Sequence, residues 1–393
     1  MEYSSLVDRI DAESAGGWGT LFEAWEARDR GEDVIILSIG DPDFATPAPI
    51  VDAAVAALRA GDTHYSEFLG RPRLRELVAE RFSSSTGRTW TADNVAITAG
   101  TQGALFSAGM CLLDPGTRII GLEPMYLTYE STLRAGGAEL CRVALDPARG
   151  FALDPDALAA AVDERTRAVV ITTPNNPTGT VATVDELEMV ADLARRHDLW
   201  VIADEVYAEL VYEGEHRSIA ALDGMAERTV TVSSLSKSHA MTGWRVGWAI
   251  GPAELIDHFS RLNLAMLYGL PGFVQAGAIE ALANGDEGLD AMRVTYRRRR
   301  DLVVAELAKA DDLPVLSPRA GMYVMVDVRS FGMTGDAFAW ALFRATGVSV
   351  VDAGSFGRPA EGWLRLAFTA GDDELREGCR RLVDFVAGLE RRG

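Results

Sequence analysis

Short apolar runs alternate along this chain with longer stretches in which apolar residues recur at every third or fourth position. Residues 48–61 ("APIVDAAVAALRAG") and 187–198 ("LEMVADLARRHD") have the spacing of amphipathic helices, and the first ends at a glycine. The short runs are typical of strands: "NVAITAG", "TRIIGLEP", "RAVVITT", "LWVIADEVY", "TVTVSSLSK" and "RVGWAIG". Strands separated by helices predict crossover units, and therefore an α/β fold with a mostly parallel central sheet covered on both faces.

The pattern changes near residue 285, where a long charged amphipathic helix begins ("DAMRVTYRRRRDLVVAELAKA"). Strand-like and helix-like stretches follow it: "GMYVMVDV", "DAFAWALFRATG", "VSVVDAG", "WLRLAFT" and "DELREGCRRLVDFVAGLE". This order predicts a smaller α+β domain. We therefore predict an N-terminal arm over 1–40 that joins the small domain, a large domain over 41–284 and the small domain over 285–393.

The charge balance narrows the class of partner. The 393 residues include 38 Lys and Arg against 58 Asp and Glu, which gives a formal net charge of −20. Such a field repels a phosphate backbone, so the composition argues against nucleic-acid binding. The one basic run, Arg297 to Arg300, is predicted to be a solvated helix face.

The cysteines and apolar segments indicate a cytoplasmic protein. Cys111, Cys141 and Cys379 are odd in number and lack CxxC spacing, so we expect reduced thiols, with no disulfide and no metal site. No apolar run approaches the roughly 18 residues that a membrane span requires, and the N-terminus has no signal-peptide pattern. The sequence predicts no membrane association.

Four polar motifs directly follow predicted strands, where open α/β sheets bind ligands. "TAGTQGAL" (98–105) places amides at a helix start that suits an anion, although such a motif taken alone is more often an ordinary strand-to-helix turn. "TPNNPTG" (173–179) is a rigid turn with amide donors. Asp204 ends a buried run and is either a helix N-cap or a carboxylate that needs a partner. Lys237, within "SSLSKSHAMTGWR", is either a surface lysine or an amine activated by desolvation.

Together the four motifs match what pyridoxal 5'-phosphate needs. Its aldehyde requires a lysine, its phosphate a helix start and an arginine, and its ring nitrogen an acid that keeps it protonated. The combination is far more specific than any one of its parts.

The chain resembles the fold-type I pyridoxal-phosphate enzymes of the class I/II aminotransferase family. The resemblance covers nearly the whole chain and rests on "SIGDPDFATP", "THYSEFLGRPRLRE", "PNNPTGT", "DEVYAEL", "SLSKSHAMTGWRVGW" and "WLRLAFT". A closer similarity, to bacterial arginine–pyruvate transaminases, rests on "GDPDFATPAPIV", "EPMYLTYE", "HDLWVIADEVY", "KSHAMTGWRVGW" and "MLYGLPGF". It implies a ping-pong transfer of the α-amino group from L-arginine to pyruvate.

The resemblance implies roles for the residues around the cofactor ring. Lys237 matches the lysine that links covalently to the cofactor and moves the substrate's α-proton. Asp204 matches the acid paired with the ring nitrogen, and Asn176 and Tyr207 match the pair that binds the ring oxygen. Tyr126 matches the aromatic ring over the cofactor face, although plain core packing also explains it.

The cofactor phosphate has its own implied ligands. Ser234, Ser236 and Arg245 match phosphate-binding positions of the family, and Thr101 and Gln102 match the helix-start cradle. An arginine fork suits phosphate because it donates two parallel hydrogen bonds.

The resemblance also implies a substrate site and a homodimer. Arg365 matches the arginine that binds the substrate α-carboxylate, helped by Gly40 and Asn176. Tyr65 matches a tyrosine that reaches the cofactor phosphate of a second subunit, which implies shared active sites.

Three questions stay open at this level. No second arginine is placed to hold a distal carboxylate, which disfavours an acidic donor. The arm residues Asp11, Glu13, Trp18 and Glu23 either face a cationic donor or form a solvated arm. A lyase, decarboxylase or amino-acid oxidase would use the same cofactor motifs, while a cofactor-binding regulator on this fold would carry an added DNA-binding domain.

Overall fold

The structure, a computed structural model, describes residues 3–10 and 17–389. Its helices are α1 (Ser5–Ile10), α2 (Gly19–Asp29), α3 (Ala48–Arg59), α4 (Pro72–Thr86), α5 (Gly100–Leu112), α6 (Tyr129–Arg134), α7 (Pro155–Ala160), α8 (Val184–His197), α9 (Leu235–Ser238), α10 (Ala253–Met266), α11 (Gly272–Asn284), α12 (Asp286–Leu307), α13 (Gly335–Thr346) and α14 (Asp372–Ala387). Its strands are β1 (Ile35–Ile36), β2 (Val95–Thr98), β3 (Arg118–Glu123), β4 (Glu139–Ala144), β5 (Thr166–Thr172), β6 (Trp200–Asp204), β7 (Thr229–Ser234), β8 (Gly247–Ile250), β9 (Val315–Leu316), β10 (Tyr323–Asp327), β11 (Val348–Ser349), β12 (Val351–Asp352) and β13 (Trp363–Ala367).

Local sequence accounts for where several helices begin. Helix α8 starts with a capping box, in which the Thr183 hydroxyl accepts from the Glu186 amide and the Glu186 carboxylate accepts from the Thr183 amide. Helices α3 and α4 begin with proline in the first turn, where the missing N–H is no loss. Helix α13 ends at Gly347, whose φ of +74° suits a residue without a side chain.

The central sheet has seven strands in the order β2-β8-β7-β6-β5-β3-β4. The pairs β3–β4, β3–β5, β5–β6 and β6–β7 are parallel, and β8 runs antiparallel to both of its neighbours. This arrangement confirms the predicted α/β class with a mostly parallel sheet. The strands that carry the polar motifs therefore end at one edge of the sheet. Strand register sets Asp204 between Thr172 of β5 and Val232 of β7.

A second, antiparallel sheet has the order β12-β13-β10-β9. The segment predicted as one strand, "VSVVDAG", divides into two short strands. Strand β11 pairs with β1 of the N-terminal region, whereas β12 pairs with β13. A buried cluster that includes Tyr296, Phe338, Leu342 and Leu375 packs α12, α13 and α14 against this sheet.

The basic run on α12 corrects one prediction. Arg297 and Arg298 are exposed, but Arg299 and Arg300 are buried. The Arg299 guanidinium donates to both carboxylate oxygens of Asp43, at 2.7 and 2.8 Å. The run is therefore not a uniformly solvated face, because half of it anchors α12 to other parts of the chain.

Residues 3–10 and 17–389 contain no helix with the length and apolar character needed to cross a bilayer. All three cysteines are free. Within the same ranges, His, Cys, Asp and Glu side chains form no group of three that is arranged to hold a metal ion.

Candidate active site

A cavity of about 530 Å³ opens at the carboxyl edge of the large sheet, beside strands β10 and β13 of the small one. It brings together every predicted site residue except Tyr65: Gly40, Thr101, Gln102, Tyr126, Asn176, Asp204, Tyr207, Ser234, Ser236, Lys237, Arg245 and Arg365. These residues come from segments up to 325 positions apart in sequence, from Gly40 to Arg365. These residues come together around one cavity only when the chain is folded.

Asp204 lies at the end of β6, and 5% of its surface is exposed. Its Oδ2 accepts a hydrogen bond from the Tyr129 hydroxyl at 2.6 Å, and its Oδ1 accepts from the Val206 amide at 3.0 Å. Burial raises the pKa of Asp204 to about 6, while these two donors oppose the rise. A cation set against this carboxylate therefore stabilises its charged form.

Lys237 lies on the single-turn helix α9, which directly follows β7. Its Nζ donates to the backbone oxygen of Gly40 at 2.7 Å, so the amine is held inside the cavity. The 393-residue sequence contains only two lysines. The other one, Lys309, has a side chain 62% exposed and paired with Glu306.

An anion pocket forms where α5 begins. Gly100, with φ +74°, stands at this helix start, and a Cβ there would lie 2.5 Å from an Arg245 guanidinium nitrogen. The absence of that Cβ allows Arg245 to lie against the helix N-terminus, where amides and the helix dipole favour negative charge. Gly247 of β8 permits a similar approach, because its Cβ would meet the Thr101 amide at 2.8 Å. Ser234 and Ser236 line the same cavity, and the buried Thr101 Oγ1 has no hydrogen-bond partner among the described residues.

Arg365 on β13 is 1% exposed. Its Nη1 donates to Asn176 Oδ1 at 3.1 Å and its Nη2 to the backbone oxygen of Ser38 at 2.8 Å. The guanidinium carbon lies 4.2 Å from the centroid of the Tyr323 ring and 4.8 Å from that of Phe356. This aromatic sandwich fixes the plane of the cation. No carboxylate hydrogen-bonds Arg365 in the described parts of the chain, so its charge remains available to an anionic ligand.

Gly40 has no room for a side chain. A Cβ at this position would lie 2.0 Å from the Tyr323 hydroxyl oxygen. That hydroxyl lies 3.2 Å from the hydroxyl of Tyr207, and burial raises the pKa of Tyr207 well above its usual value. The Tyr207 phenol therefore stays neutral and acts as a hydrogen-bonding group.

Tyr126 and Gln102 form another wall of the cavity. The Tyr126 ring meets the Tyr129 ring edge to face, with centroids 6.1 Å apart. The Gln102 side chain accepts from the Thr128 hydroxyl at 2.8 Å and donates to the Thr132 hydroxyl. Its amide is therefore fixed, and it contributes polarity to this wall without charge.

Tyr65 lies outside the cavity. It is 86% exposed, and its ring contacts that of Tyr268 at a tilt of 46°, with centroids 4.8 Å apart. Tyr65 does not line the active-site cavity of its own chain. Its contact with the cofactor phosphate of a second subunit therefore stays a prediction.

The fold adds residues that sequence reasoning missed or left open. Tyr129 and Tyr323 join the site through the contacts above, and Asp41 lines the cavity. Helical spacing does not link Tyr126 to Tyr129, because α6 begins only at Tyr129, so no local signal indicated the contact of Tyr129 with Asp204. Trp18 also lines the cavity, whereas Glu23 is half-buried outside it and pairs with Arg30. The acids Asp11 and Glu13 lie outside the described residues.

The donor set fits the cofactor predicted from sequence. A buried carboxylate, an amine, a helix N-terminus with an arginine, and an arginine held between aromatic rings all face one cavity. The partnerless Thr101 Oγ1 lies beside the helix start, where a phosphate oxygen would accept from it. The residues present therefore include a suitable partner for each of three groups of pyridoxal phosphate: the ring nitrogen, the aldehyde and the phosphate.

Comparison with known proteins gives a consistent result. The family model for aminotransferase class I and II matches residues 32–382. The arginine–pyruvate transaminase AruH of Pseudomonas aeruginosa is 47% identical over 389 residues, which cover 99% of both chains. An aspartate/prephenate aminotransferase of Thermus thermophilus is 36% identical over 364 residues, 92% of this chain and 93% of that one.

The solved structures agree. The aspartate aminotransferase from Thermus thermophilus with maleate superposes with a TM-score of 0.92 at 34% identity, and the match covers 98% of this chain and 99% of that one. This confirms the fold-type I architecture. Since the family model, the relatives and the structures all match over nearly the full length, the chain is an aminotransferase and belongs to the class I and II aminotransferase family.

Proposed function

We propose that this chain is a pyridoxal-phosphate-dependent aminotransferase that moves the α-amino group of L-arginine to pyruvate by a ping-pong mechanism. The observation that carries the proposal is the single cavity in which Lys237, Asp204 and Arg365 meet. The choice of substrates is supported by the 47% identity to an arginine–pyruvate transaminase over 99% of both chains.

The proposed cofactor sites follow from the contacts. Lys237 would hold the aldehyde carbon and Asp204 the protonated ring nitrogen. Asn176 and Tyr207 would bind the ring oxygen, and Tyr126 would cover the ring face. The phosphate would lie at the start of α5, between Arg245 and three hydroxyl groups, those of Thr101, Ser234 and Ser236. When bound, the cofactor supplies an electron sink for the bond broken at the substrate α-carbon.

Side chains of the protein bind the substrate, move the proton and stabilise the charge on the cofactor ring. Arg365 binds the α-carboxylate shared by amino acid and 2-oxo acid, which sets the direction of the α-carbon's C–H bond. The Lys237 amine takes the proton from that carbon and returns it in the reverse half-reaction. Asp204 keeps the ring nitrogen cationic, because a buried carboxylate gains from an adjacent positive charge. Donor and acceptor occupy the same site in turn, as a ping-pong mechanism requires.

The charges of the cavity favour a basic or neutral donor. Its described lining contains three cations, Lys237, Arg245 and Arg365, and each already has an assigned partner. Of the remaining polar lining, Gln102, Thr128 and Ser131 are uncharged, and Asp41 is an acid. A distal carboxylate would therefore find no counter-charge in this lining.

We further propose a cytoplasmic homodimer in which Tyr65 of each subunit reaches the cofactor phosphate of the other. The exposure of Tyr65, and of Val51, Val55 and Leu58 on α3, supports a covered face, since large exposed apolar patches mark interfaces. The domains proposed are the arm 1–40, the cofactor-binding domain 41–284 and the small domain 285–393. Sedimentation of the purified protein tests the dimer, and a monomer at micromolar concentration would refute it.

A lyase, decarboxylase or oxidase would use the same cofactor contacts, so analysis of the products is needed to distinguish these activities from transamination. The purified enzyme is incubated with arginine and pyruvate, and alanine is measured against pyruvate consumed. We expect equal amounts, with neither ammonia nor carbon dioxide released when pyruvate is omitted. Good turnover of another donor without alanine from arginine would remove the arginine assignment alone.

A further inference from the structure

A second cavity, of about 420 Å³, lies behind the strand end that carries Asp204. We call it the rear cavity. Asp204 lines the active site and Glu205, the next residue, lines the rear cavity, because successive side chains at a strand end point to opposite faces. Val206 and Ser234 line both cavities, so the two cavities share a wall.

The rear cavity contains buried polar atoms without hydrogen-bond partners among the described residues. They are Glu205 Oε1, Thr231 Oγ1, His239 Nε2 and both ring nitrogens of His216. Glu205, Thr231 and His239 are at most 5% exposed. Such groups are costly to bury unless water or a charge partner satisfies them, so each needs a physical reason.

Glu205 has one close partner. His216 Nε2 lies 3.1 Å from Glu205 Oε2, and the exposed fractions of the two side chains are 12% and 6%. This is an ion-pair separation without regular hydrogen-bond geometry. A carboxylate at this depth costs several kcal/mol unless a counter-charge offsets it.

The other charged groups around the rear cavity do not supply that counter-charge. Burial lowers the pKa of His239, on the far side of α9, to about 4, so its imidazole is neutral. The Arg81 guanidinium of α4 is engaged by the Leu282 carbonyl and by Asp286. Glu209 and Glu215 are themselves acids. His216 is therefore the group that decides whether Glu205 is paired.

The backbone links Glu205 to the active site. Its amide donates to the Val232 carbonyl at 3.0 Å, and the next amide, that of Val206, donates to Asp204 Oδ1. Glu205 thus stands between Asp204 and Tyr207, which both face the active site. A shift of Glu205 toward water would move the two residues assigned to the cofactor ring.

We propose that Glu205 and His216 form a buried positioning pair, which holds the segment from Asp204 to Tyr207 in register with the cofactor from the opposite side of the sheet. This inference rests on the proposed cofactor site. Neither residue lines the active-site cavity, so both act through Asp204 and Tyr207: by holding their geometry and, for Glu205, also by adding charge repulsion to the burial that raises the pKa of Asp204.

The test compares His216→Ala, Glu205→Gln and the double variant with the wild type. Each protein is freed of cofactor and titrated with pyridoxal phosphate, and the pH midpoint of the bound cofactor's visible absorbance is recorded. We expect His216→Ala to weaken cofactor affinity about tenfold and to shift that midpoint, because Asp204 and Tyr207 move. Adding Glu205→Gln should restore affinity to within about twofold of wild type, since a neutral amide needs no counter-charge.

The matched control is Glu209→Gln, which removes an exposed carboxylate at the mouth of the same cavity and should change neither readout. Thermal melting of the cofactor-free proteins shows whether each variant folds. If His216→Ala does not fold, His216→Gln keeps a donor near Glu205 and serves in the same comparison. Unchanged affinity and absorbance in the folded variant, or a loss that Glu205→Gln does not restore, would overturn the proposal. A wild-type chain that binds no pyridoxal phosphate would instead refute the proposed function.

Discussion

The hydroxyl of Tyr129, at the start of α6, donates to Oδ2 of Asp204 at 2.6 Å, and it also lies 2.8 Å from the Thr172 hydroxyl. This hydrogen bond opposes the effect of burial on the pKa of Asp204 and fixes the carboxylate plane. Tyr129 is itself fully buried, and burial holds its pKa well above the usual value, so the phenol remains a donor.

Replacing Tyr129 with phenylalanine removes that donor and leaves the ring in place. We expect cofactor affinity to fall about tenfold, because a hydrogen bond to a charged group contributes roughly 1.5–3 kcal/mol. Equilibrium titration of the cofactor-free protein measures the change. Tyr296→Phe is the control, since the Tyr296 hydroxyl is buried without a partner among the described residues and its loss should leave affinity unchanged. Equal affinities for wild type and Tyr129→Phe would contradict this role.

Lys237→Ala should leave a folded protein without covalently held cofactor and without half-transfer from arginine. Borohydride reduction followed by peptide mapping gives a direct readout, because the chain offers only two lysines. We expect the reduced cofactor on Lys237 alone in the wild type, and Lys309→Ala to behave as the wild type. Label on Lys309, or near-normal turnover by Lys237→Ala, would refute the assignment.

Arg365→Lys keeps the positive charge but loses the planar fork that binds a carboxylate in two places. We expect KM to rise about 10- to 100-fold for both amino acid and 2-oxo acid, because the same group binds the carboxylate of each. Steady-state kinetics with each substrate varied in turn measures this. A rise for only one of the two substrates would mean that Arg365 does not bind the carboxylate they share.

Gly40→Ala should disturb the site through Tyr323. The added methyl group would overlap the Tyr323 hydroxyl, which lies 3.2 Å from the Tyr207 hydroxyl, and would push on the Tyr323 ring that packs against the Arg365 guanidinium. We expect at least a tenfold loss of kcat/KM, since small displacements of positioning groups are costly in rate. Gly371→Ala is the matched control, because no other group lies within 4 Å of the place its methyl carbon would take and its φ is negative. Measuring kcat/KM for Gly40→Ala and Gly371→Ala under the same conditions tests this prediction. Equal values for the two variants would contradict the steric explanation.

Asp204 should make the cofactor-free protein depend on pH. Its folded pKa of about 6 lies above the ordinary 3.8, so the neutral form is favoured by folding. Its ionised form therefore opposes folding, and stability is lost as pH rises from about 4 to 6. Asp204→Asn should then be more stable than wild type at pH 7.5, by on the order of 3 kcal/mol, with a smaller difference at pH 5.

The same substitution should weaken cofactor binding at pH 7.5, because the ring nitrogen loses its counter-charge. Denaturant unfolding of the cofactor-free proteins measures the free energy of unfolding, and cofactor titration measures the affinity. If Asp204→Asn is no more stable than wild type at pH 7.5, burial of the ionised Asp204 carboxylate does not destabilise the folded protein. A variant that binds cofactor normally would show that the ring nitrogen needs no acid.

Local patterns in the sequence predicted the order of strands and helices and the parallel sheet, because periodicity and caps act over a few residues. They also located Lys237, Asp204 and Asn176, since each directly follows an apolar strand, and parallel strands end at one edge. The remaining predicted residues came from family resemblance, and all but Tyr65 line the cavity.

Only the tertiary structure decided the contacts between distant segments. Tyr129 meets Asp204 across 75 positions and Arg365 meets Asn176 across 189, and neither distance leaves a periodic signal. The buried half of the basic run on α12 was misread for the same reason, because the partner of Arg299 is Asp43, 256 positions away. Sequence by itself determined which groups follow each strand, whereas burial and pairing of those groups depend on which segments fold against them, and that is a property of the packed chain.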